Sequence, residues 1–387
     1  MWLCALLAVL SLGEPAQLLE RVRGVPVPSD LPVRSLPREA LRPFLEEALE
    51  DAYGDRFDDF AALYRALRLL PDGEDARESL LALYEGQVAA FYNPKDHTMT
   101  VVEGFDPESP ILRLLLVHEL THAIQDRRLP LYERLTARAG NRDASLALQS
   151  LLEGEAVLVM TLAGADLDLL PEEERHRRLD QALAPYGGDL SGSVPDAPPF
   201  FVHDLLIPYQ AGVRFVAGAY KRGGWPAVDA LYDRLPCCME EVLHEDPLIR
   251  CPDLRPAAGA LTLPGRRAAV TDTLGETGFR YLFSTRLPGP EADRAARGWD
   301  GDAAVLFEGG AAAWLTRWDT PRDRREAVAA MRAWARAEGV TLARWTRGSS
   351  ALFLISNPGA PPPPKPVDLR SILKRTEESD EHACDHP

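Results

Sequence analysis

The chain has 387 residues, 46% of them hydrophobic and 26% charged, with a formal net charge of −16. That length and apolar content can bury a large core, and the length suggests two domains plus tails. The acidity argues against nucleic acid and against an anionic membrane surface as partners, because both demand a basic footprint.

Residues 2 to 13 (WLCALLAVLSLG) form an apolar run too short for a permanent membrane span but suited to the hydrophobic stretch of a signal peptide. Only Met1 precedes it, so the basic leader segment is missing and a buried N-terminal helix is the competing reading. A leader over residues 1–16 implies an exported protein, periplasmic, cell-envelope or extracellular, with no stable membrane insertion after its removal; without a leader the protein is cytoplasmic. Residues 35 to 53, opened by Ser35 ahead of Pro37 and Glu39, carry Leu41, Phe44, Leu45, Ala48 and Leu49 on one face of an expected helix. Further helices are expected around 57–69 and 74–85. The texture then changes: Gln87 to Tyr92, a turn at Asn93-Pro94-Lys95-Asp96, and Thr98 to Val102 read as a β-hairpin.

Residues 117 to 126 are VHELTHAIQD. On a helix, His118 and His122 share a face one turn apart, so both can aim a ring nitrogen at one cation. Glu119 follows the first imidazole and can reach a water at that cation, which makes the string a zinc site with a built-in general base. The apolar run Ile111 to Val117 ahead of it supports a buried helix. No third His follows at the spacing that would continue the motif, so the third ligand is expected to be a carboxylate. The apolar segment Leu146 to Met160 carries two charges, Glu153 and Glu155, and a carboxylate in such a setting wants a cation.

From Pro198 to about Leu243 the pattern is helical, with Val202, Leu205, Leu206, Tyr209, Val213 and Val216 on one face. Pro208 is expected to kink or restart this helix, and Gly223-Gly224-Trp225 to end it. Downstream, Glu240 and His244 lie at i and i+4, within reach of the zinc site if they share its side of the fold. Cys237, Cys238, Cys251 and Cys384 are few for a disulfide scaffold, and no CxxC pair or nearby His couple gives them the spacing of a thiolate metal site. A bridge from Cys251 to one of the neighbouring pair would suit an oxidising compartment. Residues 298 to 355 read as a small α+β unit. Its strands lie around Val305–Phe307, Ala313–Leu315 and Leu352–Ile355, and its helix runs from Pro321 to Glu338 with Thr320 as N-cap. The Pro-rich stretch after Gly359 reads as a stiff linker, and the charged end to Pro387 as a disordered tail, in which His382, Cys384 and His386 are solvated side chains.

Two resemblances sharpen this reading. HELTHA with Asp126 four residues after His122 resembles the active helix of the gluzincin, thermolysin-like peptidases. Over residues 30 to 355 the chain resembles an uncharacterised bacterial family of exported HEXXH proteins, through QVAAFYNPKDHTMTVVEG, HELTHAIQD, LLEGEA, PYQAGVRFV, MEEVLH, LGE and GWDGD. The family's Glu-Gly-acidic-Ala box aligns its first Glu on Glu153, which the resemblance makes the third ligand, with Glu155 the alternative. Val157 stands where the thermolysin-like pattern has an Asp four residues after the ligand Glu, so the group that orients a ligating His must come from elsewhere.

The expected architecture is α+β: a mostly helical zincin-like catalytic domain over 30–255 with a small β-hairpin or sheet, a small α+β unit over 256–358, and the tail over 359–387. The expected function is zinc-dependent peptide-bond hydrolysis on a peptide or protein substrate. Zn2+ would sit on His118, His122 and Glu153, Glu119 would be the base, and His244 or Tyr209 would stabilise the oxyanion. The hairpin either lines the cleft and pairs with an extended peptide or only packs on the helix. Two rivals stand beside this: an exported non-enzymatic scaffold cross-linked by the same zinc, and an intracellular regulatory protease.

Overall fold

Long apolar runs fold here as helices wrapped on one another, while the β-branched and aromatic runs form two separate sheets. The computed structural model describes residues 12–86, 88–106, 109–194, 197–246, 249–356, 364–366 and 369–378. The chain starts with α1 (Gly13–Arg23), β1 (Val33–Leu36), α2 (Leu41–Tyr53), α3 (Phe57–Ala66) and α4 (Ala76–Glu85). The hairpin β2 (Ala90–Asn93) and β3 (Thr98–Val102) leads into α5 (Pro110–Arg128), α6 (Leu131–Thr136), α7 (Arg142–Gly164), α8 (Glu172–Leu183), α9 (Pro199–Asp233), α10 (Met239–His244) and α11 (Arg255–Gly259). The last part holds β4 (Ala268–Asp272), α12 (Gly275–Ser284), α13 (Gly289–Ala296), β5 (Trp299–Phe307), β6 (Ala311–Trp318), α14 (Pro321–Glu338), β7 (Thr341–Arg347), β8 (Ser350–Ser356) and α15 (Leu369–Glu378). The class is α+β, as expected.

The first sheet has the order β1-β3-β2, with β1 parallel and β2 antiparallel to β3. This corrects the helix expected from residue 35: Val33 to Leu36 pair with Met99 to Val102, and the α-helix starts only at Leu41, beyond Pro37. The hairpin turn is held by Asn93, whose Oδ1 accepts the Lys95 N–H at 3.0 Å. Strand β2 is therefore an edge strand facing α5.

The helical body centres on α5, α7 and α9, with α1 laid against the first two. Among the described residues α7 alone is long and apolar enough to cross a membrane, yet 78% of its apolar window is buried within the protein, so its hydrophobicity serves packing. It meets α9 backbone to backbone. A Cβ on Gly154 would stand 2.3 Å from the Gly212 carbonyl oxygen, and one on Gly212 would stand 2.0 Å from that of Ser150, so only glycine permits the crossing. Helix α9 passes through Pro208 with helical backbone and breaks instead at Gly223 and Gly224, where Gly224 takes φ 64°.

The second sheet is antiparallel throughout, in the order β4-β5-β6-β8-β7. One face packs Trp299, Trp314 and Trp318 against Phe279 and Phe283 of α12 and Trp334 of α14, with the Phe279 and Trp314 rings stacked 4.2 Å apart. The other face packs Val305, Leu315 and Leu354 against α11 and α15. Each such Leu, Val or Phe, fully buried, contributes about 1.5–3 kcal/mol. Strands β5, β6 and β8 and the Thr320-capped α14 match the expected elements; Thr320 Oγ1 accepts the Arg322 and Asp323 N–H groups.

Several expectations differ from the structure. Residues 369–378 lie within the expected disordered tail but form α15, because Leu369, Ile372 and Leu373 repeat at helical spacing and cover the sheet. The expected boundary between 255 and 256 does not separate two cores. Phe57, Phe60 and Leu63 of α3 share one buried cluster with Phe279 and Trp314. Of the expected leader, residues 1–11 lie outside the described residues, while Gly13 to Ala16 form the first turn of α1. Cys4, His382, Cys384 and His386 also lie outside them. Cys238 and Cys251 are joined in a disulfide, one of the two pairings left open by the sequence.

Candidate metal centre

Helix α5 begins after Ser109 with Pro110 in its first turn, a position where a missing N–H costs nothing. Leu112, Leu116, Leu120 and Ile124 fix one side of it in the core. That leaves His118 and His122 side by side, with ring nitrogens Nε2 to Nε2 at 3.3 Å. Glu153, from α7, places Oε2 3.0 Å from His118 Nε2 and 3.7 Å from His122 Nε2. Zinc with four ligands at about 2.0–2.1 Å holds its ligand atoms about 3.3 Å apart, and the three separations scatter around that value. The donor set of two imidazoles and one carboxylate therefore fits zinc. The Glu119 carboxylate also lies within 4.8 Å of both ring nitrogens, but its Oε2 accepts the Tyr92 N–H at 3.0 Å, which holds it beside the triad as a neighbour.

The charges respond to this crowding. Burial alone would lower the His122 imidazole, but the Glu153 carboxylate overcomes it and the ring is pushed up to about 9. Burial would raise Glu153, yet His122 and His118 hold it well below the usual carboxylate range. Glu119 is raised above the ordinary value by burial, against the pull of the two rings.

The support of the triad was not visible in the sequence. His122 Nδ1 lies 2.8 Å from Gln125 Oε1, so a proton on Nδ1 donates to the amide and Nε2 keeps a lone pair that could bind a cation. Gln125 is fixed in turn, because its Nε2 donates to the Leu152 carbonyl and to Glu155 Oε2, both at 3.0 Å. Glu155 also accepts from Arg23 Nε at 2.6 Å and from the Tyr232 hydroxyl. Two residues apart on a helix means roughly 200° of rotation, so Glu153 and Glu155 point to different sides of α7. Glu153 belongs with the histidines, and Glu155 anchors the amide behind them. The amide fills the role that Val157 cannot. Asp126, the thermolysin-like position, makes no hydrogen bond to either ring among the described residues. It accepts from the Tyr92 hydroxyl at 2.6 Å and from the Leu131 N–H at 2.8 Å and so ties the hairpin to α5.

Of the two expected oxyanion partners, Tyr209 is at the centre and His244 is not. The Tyr209 ring stacks on His118 with centroids 6.2 Å apart. Burial first, then the Glu153 and Glu119 carboxylates, push its phenol well above the ordinary value, so it stays an O–H donor. The close crossing at Gly154 and Gly212 brings it there, since Glu153 precedes one glycine by one residue and Tyr209 the other by three. His244 instead pairs Nε2 to Oε2 with Glu276 of α12 at 2.8 Å. Helical spacing correctly put it beside Glu240, but α10 turns that face towards α12. A cleft of about 860 Å3 opens beside the triad, lined by His122 and Glu153 together with Phe44, Tyr92, Lys95 and Arg142.

Leu274 and Gly275 of the LGE string and Asp302 of the GWDGD string hold the scaffold together. Asp302 accepts from the Leu274 and Gly275 N–H groups at 3.1 and 2.9 Å and from the Trp299 and Trp314 indoles at 3.0 and 2.7 Å, pinning the start of α12 onto the large sheet. A family model described as a domain of unknown function, DUF8575, matches residues 262–353, the stretch that holds this sheet and leaves out the HELTH helix. No curated protein and no solved structure matches the chain.

Proposed function

We propose that this chain is a gluzincin-like metallopeptidase of the exported HEXXH kind that hydrolyses peptide bonds with zinc held by His118, His122 and Glu153. The observation that carries the reading is the triad itself, three ligand atoms 3.0, 3.3 and 3.7 Å apart. His122 and Glu153 line an open cleft, which favours catalysis over a closed cross-link. Zinc bound there supplies a Lewis acid for the substrate carbonyl and lowers the pKa of water. Glu119 takes the proton of the attacking water and returns it to the leaving amine. The Tyr209 hydroxyl donates to the oxygen that gains charge. Tyr92 directs its N–H at Glu119, so the outer edge of β2 faces the centre, and an extended peptide can add to that edge as a strand. The Cys238–Cys251 disulfide accords with export, and the net charge of −16 with a protein rather than nucleic-acid partner.

The test uses the full chain, an unfolded protein substrate, and the variants Glu119→Gln and Tyr209→Phe. Both are expected to keep zinc and fold. Hydrolysis falls about 10²–10⁴-fold in the first and about 10²–10³-fold in the second. A zinc-loaded parent inert on every substrate would instead mark the centre as a structural cross-link.

A further inference from the structure

A second group of ligand-type side chains stands outside this centre. Glu240 is only 7% exposed and has no hydrogen-bond partner among the described residues. Its carboxylate points to the His244 ring and the Glu276 carboxylate, the three donor atoms lying within 4.8 Å of one another. Glu276 is fully buried, and Arg280 occupies its Oε1 through two N–H groups at 2.9 and 2.6 Å. Its Oε2 is left for His244 Nε2 at 2.8 Å. The charges that act most on Glu240 are all negative: Glu276, Asp319, Asp300 and Asp143. The nearby cations are already engaged, Arg280 on Glu276 and Arg317 on Asp300. An unpartnered carboxylate is costly to bury among like charges, and with burial and these neighbours Glu240 is pushed up to about 9. A cation in place of its proton would remove that cost.

We infer that Glu240, His244 and Glu276 form a second divalent-cation site. Two carboxylates with one imidazole suit a borderline ion such as Mn2+ or Zn2+ better than a thiolate-seeking one. The His244 side chain is 32% exposed, so the site opens to solvent and needs no route through the core. An ion here would clip α10, at the end of the helical body, to α12 on the large sheet. It needs nothing from the HELTH centre.

The test is equilibrium dialysis of the chelator-stripped full chain against Zn2+ and, separately, Mn2+. The parent is expected to hold two ions, and His244→Gln and Glu240→Gln one each. His244→Gln removes an exposed ring, and Glu240→Gln relieves repulsion, so both variants fold. His118→Ala also drops to one, and its remaining ion disappears when His244→Gln is added. Variants at 240 and 244 that bind as many ions as the parent would overturn the second site. A parent with one ion that His244→Gln abolishes would keep the second site and sink the zinc centre at His118.

Discussion

Glu153 and Glu155 are both acidic, lie two residues apart on the same apolar helix, the first half-buried and the second buried, and their surroundings give them different chemistry. Glu153 meets two imidazoles and Glu155 meets Arg23, Gln125 and Tyr232. Glu153→Ala is expected to cost zinc binding and, in the metal-free chain at neutral pH, the stability that its attraction to the His122 ring supplies. Gln125→Ala should weaken zinc only about 10–100-fold, as a partner that orients a ligand. Glu155→Ala leaves the buried Arg23 guanidinium with Asp229 alone and should cost towards the lower end of about 3–5 kcal/mol. Competition with a chromophoric chelator and urea denaturation separate these outcomes, and equal zinc loss for both Glu variants would reverse the assignment. The sequence could name both carboxylates but not choose between them from patterning alone, because the partners of Glu155 come from three other helices, α1, α5 and α9.

The proton on His122 supplies a prediction of its own. Its folded value, about 9, lies above the ordinary 6.5, so in the metal-free protein the attraction to Glu153 is fully present below 6.5 and is lost as pH rises through 9. The chelated parent should therefore lose stability over that window, and His122→Gln should flatten the loss. Zinc competes with the same proton, so zinc uptake near neutral pH should release it. Calorimetry in buffers of different ionisation enthalpy measures that release, and zero protons taken up by buffer at pH 7.5 would contradict it.

At the scale of elements, the decisive contact is backbone against backbone. Gly154→Ala or Gly212→Ala forces α7 and α9 apart, since each Cβ would fall within 2.3 Å of a carbonyl oxygen. Overpacking of this kind costs typically about 1–3 kcal/mol. Because the same crossing sets Tyr209 against Glu153, zinc affinity should fall alongside the denaturation midpoint. A variant that loses stability with zinc affinity intact would show that the crossing does not set the site. Elements with strong local signals were legible: the hairpin with its Asn93 turn, the HELTH helix and capped α14. Strand β1 was not, because Val33 to Leu36 is short and becomes a strand only through pairing with β3. Strands β4 and β7, at the two edges of the large sheet, escaped because each pairs on one side only and neither is an unbroken apolar run. Helix α15 was hidden by its charged sequence, which outweighs three apolar positions until a sheet is there to receive them.

For the whole molecule, the two halves share more than the sequence suggested. A fragment ending at residue 255 would expose Phe57, Phe60 and Leu63, whose cover comes from the large sheet and its helices. It should fail to fold cooperatively, and a sharp thermal transition in that fragment would restore the two-domain reading. The His-Glu-x-x-His pattern on α5 was plain in the sequence because it is local. His244 was misplaced because two residues at helical spacing define a face and not the neighbour which that face meets.

Arg23 lies 132 residues before Glu155, and Tyr232 lies 77 after it. Contacts spanning such intervals close slowly, since chain entropy must be surrendered before they reward it. During synthesis the HELTH segment leaves the ribosome more than a hundred residues before Tyr232 does. A nascent chain stopped between the motif and Leu152 leaves Gln125 unanchored and the first helix waiting for its carboxylate, and one stopped between Glu155 and Tyr232 still lacks the hydroxyl that completes the network. The proposed centre is therefore completed late in folding, once both distant partners have arrived.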